Sequence, residues 1–309
     1  MKKYPRSVKI VEVGPRDGLQ NEKNTIDVQT KLLLIDNLIS AGVNNIEAGS
    51  FVNSNWVPQM AGSDELLSAI SKKYHANSAI HFTALTPNIK GVERAIASGV
   101  KEIAVFASAT ESFSKKNINC SINESLHRFH DATQIALEHD LKVRGYISCV
   151  VGCPYEGKVD FRTVQSLSEK LIEMGCYEIS LGDTIGVATI NDIHKLISVV
   201  TQSISTHQLA LHLHDTYGQA IANVSAGLEM GISIFDSSIA GLGGCPYAKG
   251  ASGNVATEDV IYLLDGLGIE HGINLEKLVT AGKSICDSLN KTYSVKSGSA
   301  LLAKIHSTE

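Results

Sequence analysis

The stretch from Tyr177 to His214, YEISLGDTIGVATINDIHKLISVVTQSISTHQLALHLH, contains a complete strand–helix–strand unit. Residues 177–181 and 209–214 are short apolar runs of strand length, and apolar residues recur every three or four positions across Ile190–Ser203, as in an amphipathic helix. Two strands that are joined by a helix and pair in one sheet run parallel. The stretch therefore predicts an α/β fold with a parallel sheet.

The same alternation repeats on both sides of this unit. Further helix-like segments are Asp27–Ser40, Asn88–Ser98, Ser121–His139, Arg162–Met174 and Gln219–Met230. Glycine follows several of them, as it often does at a helix end, namely at Gly42, Gly99, Gly175 and Gly231. The candidate strands are 8–13, 44–48, 79–84, 102–107, 142–148, 177–181, 209–214 and 233–239. Eight β/α units predict a closed TIM (β/α)8 barrel, with a doubly wound open sheet as the alternative.

Length and composition limit the class of protein. The chain has 309 residues, of which 43% are hydrophobic and 19% charged, as expected for a compact globular protein. A barrel of roughly 250 residues with extensions accommodates this length. We expect one catalytic domain over 1–309, in which 256–309 forms a C-terminal helical extension.

Charge and cysteine usage predict the partners and the compartment. A formal net charge of −5 gives no overall attraction to nucleic acid or to anionic lipid. The six cysteines form no CxxC pair and no dense disulfide pattern, so we expect free thiols. No segment approaches the ~18 uninterrupted apolar residues of a membrane span, and no signal-peptide pattern follows Met1. We expect no nucleic-acid or membrane partner and a cytoplasmic location.

Polar side chains follow the predicted strands where each strand ends. In such a barrel, active-site groups lie at the C-terminal ends of the strands and in the loops that follow them. The chemically capable residues at these positions are Arg16, Asp17, Glu47, Asp183, His212, His214, Cys245 and Asn254. Segments that are far apart in sequence would therefore meet around one mouth of the barrel.

Four of these residues form a plausible set of ligands for a divalent metal. His212 and His214 are two apart on a predicted strand, so they face the same side. Asp17 would add a carboxylate oxygen and Asn254 an amide oxygen. A set rich in oxygen and free of thiolate suits Mg²⁺ or Mn²⁺, although Zn²⁺ or Co²⁺ could bind in vitro.

Three further features each have a functional and a structural interpretation. Arg16 carries a permanent charge that could stabilise an enolate or carboxylate oxygen, or it could only pair with Asp17. Cys245 lies in a glycine-rich loop that could close over a substrate, although a lone cysteine is more often a small buried apolar residue. Lys115–Asn119 is either a solvated loop or a contact for substrate phosphates.

Six motifs together resemble the 3-hydroxy-3-methylglutaryl-CoA lyase family, which belongs to the TIM-barrel metallolyases. They are VGPRDGLQNE (13–22), IEAGSFV (46–52), KKNIN (115–119), SLGDTIG (180–186), HLHDTYGQA (212–220) and GLGGCPYAKGASGN (241–254). The resemblance covers nearly the whole chain and is closest to the bacterial type. It implies an acyl-CoA substrate that is cleaved to acetyl-CoA and acetoacetate, and a homodimer.

The resemblance also implies a role for each site residue. By this resemblance the metal ligands are Asp17, His212, His214 and Asn254. The catalytic set is Arg16, Asp17, Glu47, Asp183, His212 and Cys245. The substrate contacts are Arg16, Asn21, Lys23, Tyr146 and Ser180.

Two alternative functions remain open at this point. Condensing acyltransferases, such as isopropylmalate and homocitrate synthases, share the Arg-Asp or Arg-Glu motif and the HxH strand, but they lack the GGCPYA loop. A non-catalytic barrel protein that binds CoA or a metal is the second alternative. The cysteine loop at 241–254 favours the lyase over the condensing enzyme, and the full set of activity-type residues argues against the non-catalytic protein.

Overall fold

Eight parallel strands close on themselves in the computed structural model, which describes residues 4–244 and 253–306. In chain order they are β1 Lys9–Glu12, β2 Asn45–Ser50, β3 His81–Leu85, β4 Glu102–Ser108, β5 Lys142–Ser148, β6 Glu178–Asp183, β7 Leu209–Leu213 and β8 Ile234–Ser237. Pairing of β1 with β8, in which Lys9 is the partner of Ile234, completes the ring. The predicted TIM barrel is confirmed, and the open-sheet alternative is wrong.

Helices follow the strands around the barrel. Within the described residues they are α1 Val28–Ser40, α2 Ser63–Tyr74, α3 Ile89–Ser98, α4 Glu111–Ile118, α5 Ile122–Glu138, α6 Phe161–Met174, α7 Ile190–Val200, α8 Ala220–Glu229, α9 Thr257–Leu267, α10 Leu275–Ser288 and α11 Lys296–His306. The predicted C-terminal helices are present: α9 follows β8, and α10 and α11 come after it, whereas the bounds 256–309 of a separate extension stay a prediction. Among all the helices of residues 4–244 and 253–306, none has the length and apolar character needed to span a bilayer.

Local sequence explains where the helices begin and end. The Asp27 side chain accepts a hydrogen bond from the Thr30 backbone N–H at 2.7 Å and so caps α1. Ser121 and Glu124 form a reciprocal capping box at the start of α5. Gly175 ends α6 with a left-handed φ of 111°, a conformation that glycine adopts without a steric penalty.

Three local features differ from the sequence expectations. Lys115 and Lys116 lie in α4, not in a loop, and Asn119 ends that helix with a positive φ of 52°. Gly14–Gly18, directly after β1, is a short π-helix. A small antiparallel hairpin pairs Gly152–Cys153 with Gly157–Lys158. Neither the π-helix nor a two-residue strand produces a periodic sequence pattern that could be recognised.

The buried side chains divide into an apolar shell and a charged centre. The largest cluster of buried apolar residues joins strands to the surrounding helices and includes Ile46, Leu38 and Ile103. Arg144 and Asp236, in contrast, are barrel-strand residues that are only 1% and 2% exposed. Buried charges must be paired and hydrogen-bonded to be tolerated, and these two pair with each other.

Candidate active site

The π-helix after β1 presents Arg16 and Asp17 at the C-terminal mouth of the barrel. Its first and last residues are glycines that pack too closely for any side chain. A Cβ at Gly14 would lie 2.6 Å from Glu12 Oε1, and one at Gly18 would lie 2.7 Å from Ser238 Oγ. The sequence GPRDG therefore forms a tight turn that places two adjacent charged residues beside β2 and β7.

Arg16 joins two carboxylates from different elements. Its Nε donates to Glu47 Oε2 at 2.8 Å, and its Nη1 donates to Asp17 Oδ1 at 2.7 Å. Burial disfavours the charged guanidinium, but Glu47 and Asp17 outweigh this effect and raise the Arg16 pKa above its ordinary value. Burial raises the pKa of Glu47 even though Arg16 opposes that shift. Arg16 is therefore a fixed positive charge, 6% exposed, at the mouth.

Asp17, His212 and His214 form a cluster that could hold a metal ion. One potential ligand atom from each lies within 4.8 Å of the others. His212 Nε2 is 3.3 Å from His214 Nε2 and 3.9 Å from Asp17 Oδ2. Burial opposes ionisation of Asp17, but Arg16 and the two histidines lower its pKa to about 2. An ionised carboxylate beside two imidazoles fits a divalent cation.

Asn254 lies beside this cluster with its amide nitrogen toward Asp17. Its Nδ2 donates to Asp17 Oδ2 at 2.8 Å and to the Leu242 carbonyl at 3.1 Å. A bridge between the backbones of His214 and Asn254 fixes this position. Coordination through the amide oxygen, as the sequence predicts, requires the side-chain amide to turn over by half a rotation.

Asp236 contacts the other nitrogen of His212. The two residues are direct partners in the pairing of β7 with β8, and Asp236 Oδ2 is 3.3 Å from His212 Nδ1. Burial opposes ionisation of Asp236, but Arg144 and His212 hold its pKa below the ordinary value. Burial likewise disfavours protonation of His212, yet Asp236 and Asp17 raise its pKa. Both ring nitrogens of His212 are therefore engaged.

Asp183 ends β6 and shapes the loop that follows. Its Oδ1 accepts the Val187 backbone N–H at 3.1 Å, and its Oδ2 accepts that of Ala188 at 2.9 Å. Burial raises the pKa of Asp183 to about 6, because these two hydrogen bonds offset only part of the desolvation. The carboxyl group is 1% exposed and is anchored to its own loop.

The predicted substrate contacts fall into a buried pair and an exposed pair. Tyr146 accepts a hydrogen bond from Arg144 Nη1 at 2.7 Å and donates to Glu47 Oε2 at 3.3 Å. Ser180 is completely buried and donates to Asp236 Oδ2 at 2.7 Å. Asn21 and Lys23 are exposed in the segment before α1. The structure thus brings Tyr146 and Ser180 into the network beneath the metal cluster, and it leaves Asn21 and Lys23 at the surface.

The cysteine of the glycine-rich loop, Cys245, lies outside the described residues, which stop at 244 and resume at 253. The residue before this gap is held from the other side of the mouth, because Asn21 Nδ2 donates to the Gly244 carbonyl at 2.8 Å. The catalytic role predicted for Cys245 stays a prediction.

Sequence reasoning did not identify the charged residues beneath the site. Arg144, Glu178 and Asp236 are buried on β5, β6 and β8. The available signal was the alternation of charged with apolar residues in KVRGYIS, EISLGD and IFDS, since inward positions of a barrel strand recur every second residue.

The family profile decides the classification. The profile described as HMGL-like matches residues 7–285. The chain belongs to the HMGL-like family. The match spans the π-helix, the histidine strand and most of the C-terminal extension of this HMGL-like chain.

Individual relatives agree with the family assignment. The chain is 55% identical over 300 residues to a 3-hydroxy-3-isohexenylglutaryl-CoA/hydroxymethylglutaryl-CoA lyase of Pseudomonas aeruginosa, covering 97% of this chain and 99% of that protein. It is 55% identical to the mitochondrial hydroxymethylglutaryl-CoA lyase of Bos taurus, covering 95% of this chain and 89% of that protein. The crystal structure of the Pseudomonas aeruginosa hydroxymethylglutaryl-CoA lyase superposes with a TM-score of 0.94 at 55% identity, covering 97% and 99% of the two chains. The fold of this chain is thus shared with that structure over 97% of its length.

Proposed function

We propose that this HMGL-like protein is a hydroxymethylglutaryl-CoA lyase, which cleaves 3-hydroxy-3-methylglutaryl-CoA to acetyl-CoA and acetoacetate. The observation that supports this proposal best is the buried cluster of Asp17, His212 and His214 beside the Arg16 guanidinium. Relatives that are 55% identical over almost the whole chain carry this activity in their names.

The reaction requires charge to be stabilised at two positions. A base removes the proton of the tertiary hydroxyl group, the C2–C3 bond breaks, and its electrons form the enolate of acetyl-CoA while the hydroxyl carbon becomes the ketone of acetoacetate. A divalent cation held by Asp17, His212, His214 and Asn254 would supply the Lewis acid that acidifies this hydroxyl group. Arg16 is aimed at the mouth with its charge fixed, so it can stabilise the enolate oxygen as negative charge develops.

The proton carriers are constrained by the geometry of His212. Its Nδ1 faces Asp236 and its Nε2 faces the proposed metal position, so neither nitrogen is available to carry a proton to or from substrate. This arrangement favours the role of ligand for His212 over that of base. A protonated Cys245 thiol, brought in by closure of the loop, is then the proposed donor to the enolate carbon.

The remaining expectations belong to this proposal. Mg²⁺ or Mn²⁺ is the expected ion, because the ligand set contains oxygen and imidazole but no thiolate. We also expect a homodimer, a cytoplasmic location and a role in leucine breakdown. A non-catalytic role in metal binding would account for the metal cluster but not for the fixed positive charge of Arg16 beside it.

The deciding experiment measures acetoacetate formation from 3-hydroxy-3-methylglutaryl-CoA by purified protein. We expect product with Mg²⁺ or Mn²⁺, none after treatment with a chelator, and recovery when the metal is restored. Cys245→Ala should lose most of the activity, whereas Cys286→Ala, a matched change in helix α10, should retain it.

A folded, metal-loaded protein that makes no acetoacetate would contradict the proposal. The same preparation is then supplied with acetyl-CoA and a 2-oxo acid, because release of CoA from that mixture would identify a condensing enzyme. The name of the Pseudomonas relative includes 3-hydroxy-3-isohexenylglutaryl-CoA, so that thioester is assayed in parallel. Comparison of kcat/KM for the two thioesters defines the substrate preference.

A further inference from the structure

We propose that Asp236 is a positioning residue that fixes the ring of His212 so that its Nε2 lone pair points at the metal. This inference rests on the metal site of the proposed function. It assigns a task to a carboxylate that does not itself belong to the ligand cluster, because the described His/Asp cluster contains Asp17, His212 and His214 only.

Strand register places Asp236 beside His212. The two residues are Cα partners in the parallel pair of β7 and β8, so their side chains leave the sheet side by side. The Oδ2 atom of Asp236 lies 3.3 Å from Nδ1 of His212. Because a carboxylate can only accept a hydrogen bond, Nδ1 carries the ring proton. The unprotonated Nε2 then faces His214 and Asp17.

Three hydrogen bonds from two residues hold the Asp236 carboxylate in place. Arg144 donates to it through both terminal nitrogens, from Nη2 to Oδ1 at 2.7 Å and from Nη1 to Oδ2 at 3.1 Å. Ser180 donates its hydroxyl to Oδ2 at 2.7 Å. Such a paired, fully hydrogen-bonded carboxylate has one low-energy orientation, and it leaves one direction of Oδ2 for the imidazole N–H.

The charges beneath Asp236 continue across the interior of the barrel. Arg144 Nε donates to Glu178 Oε1 at 2.7 Å, and Glu178 Oε2 accepts from Lys9 Nζ at 2.5 Å. We call these four residues, Lys9, Glu178, Arg144 and Asp236, the charged column. The column alternates in sign, and its upper end is the carboxylate that meets His212.

The chain offers a matched pair of substitutions within the column. Asp236→Asn removes the carboxylate that faces His212, whereas Glu178→Gln removes the carboxylate on the opposite side of Arg144. Each change deletes one buried negative charge next to the same arginine, so both should lower the thermal stability of the metal-free protein. Of these two carboxylates, Asp236 is the one that contacts His212.

The first test measures Mn²⁺ affinity of the purified full-length proteins by titration calorimetry and by electron paramagnetic resonance. We expect Asp236→Asn to weaken Mn²⁺ binding by ~10–100-fold, as loss of such supporting partners does at other metal sites. Glu178→Gln should bind Mn²⁺ as tightly as the parent protein. Equal losses in the two variants would show that Asp236 acts only through stability, and unchanged binding by Asp236→Asn would overturn the inference directly.

The second test needs no substitution at Asp236 and remains informative if that variant does not fold. In the Mg²⁺-loaded parent protein, ¹⁵N-detected spectra of the histidine rings, assigned with His212→Asn, should show the His212 proton on Nδ1. A proton on Nε2 would overturn the inference. Parent protein that binds neither Mn²⁺ nor Mg²⁺ would instead refute the proposed metal site, which separates the two failures.

Discussion

Arg16 shows how one side chain can organise a site. Its guanidinium reaches Glu47 through Nε and Nη2 and Asp17 through Nη1. A lysine carries the same charge but lacks the planar fork that contacts two carboxylates in fixed directions. The arginine therefore holds the proposed metal ligand Asp17 and the buried Glu47 in one plane at the mouth.

Replacement of Arg16 by lysine should test this geometry. We expect Arg16→Lys to lower kcat by ~10²–10³-fold, the scale seen when one donor to a developing oxyanion is lost. Arg94→Lys is the matched control, because Arg94 makes a similar two-point contact with Asp64 on the surface. A kcat for Arg16→Lys that equals that of Arg94→Lys would exclude a direct role for the guanidinium.

The sequence was sufficient to predict which residues surround the mouth, but not how they are connected. His212 and His214 could be paired because alternation along one strand is a local property. The contact of Asp236 with His212 depends on the register between β7 and β8, and that of Arg144 with Asp236 depends on closure of the barrel. Neither property is written in a local pattern, so the hydrogen bond from Ser180 to Asp236 was not predicted, and the substrate contact of Ser180 stays a prediction.

At the scale of elements, the sequence predicted the helix ends more accurately than the strand ends. Gly42, Gly99, Gly175 and Gly231 all have positive φ values, as their positions indicated. The first and last predicted strands, 8–13 and 233–239, extend beyond the observed ones, Lys9–Glu12 and Ile234–Ser237, although the Val13 N–H still donates to the Ser237 carbonyl at 2.9 Å. The π-helix at Gly14–Gly18 left no periodic signal at all.

Two glycine-to-alanine substitutions should have opposite effects on stability. Gly42 has a φ of 96°, and a Cβ there would lie 2.3 Å from the Gly272 carbonyl oxygen, so Gly42→Ala should lower stability by at least about 1–2 kcal/mol. Gly266 is exposed inside helix α9 with open space around it, so Gly266→Ala should raise stability by about 1 kcal/mol. Thermal unfolding of both variants checks the signs, and a stabilising Gly42→Ala would contradict the assigned turn.

At the scale of the whole molecule, two buried glutamates fasten the C-terminal extension to the closed barrel. Glu12, at the end of β1, accepts hydrogen bonds from the Ile239 N–H at 2.8 Å and from Thr257 Oγ1 at 2.6 Å. Glu258, on α9, accepts from the Tyr293 hydroxyl at 2.9 Å. Burial raises the pKa of Glu12 to about 7 and that of Glu258 to about 8, although these hydrogen bonds oppose the shift.

These raised pKa values predict a stability that falls as the pH rises through neutrality. The folded protein binds more protons than the unfolded chain between the ordinary glutamate pKa of 4.5 and the raised values, so stability decreases as pH rises through about 7 and about 8. In metal-free protein the raised pKa of His212 acts in the same direction. We expect the melting temperature to fall between roughly pH 5 and pH 8 and to level off above pH 8.

Glu258→Gln should make this fall shallower, because the amide keeps the shape of the side chain and cannot ionise. Glu276→Gln, on helix α10, serves as the control. Its melting temperature should fall with pH as steeply as that of the parent protein. If the melting temperatures of Glu258→Gln and the parent protein fall by the same amount over this pH range, Glu258 is not the group that titrates.

Because β1 pairs with β8, the barrel can close only after the eighth strand has been synthesised. The four proposed ligands are widely spaced in the sequence. Asp17 is synthesised first, His212 and His214 follow nearly two hundred residues later, and Asn254 is last. A nascent chain that has not yet released its eighth strand therefore holds an incomplete set of ligands. The complete set of proposed ligands is available only after Asn254 has been made, so we expect full-affinity metal binding to be a property of the nearly finished polypeptide.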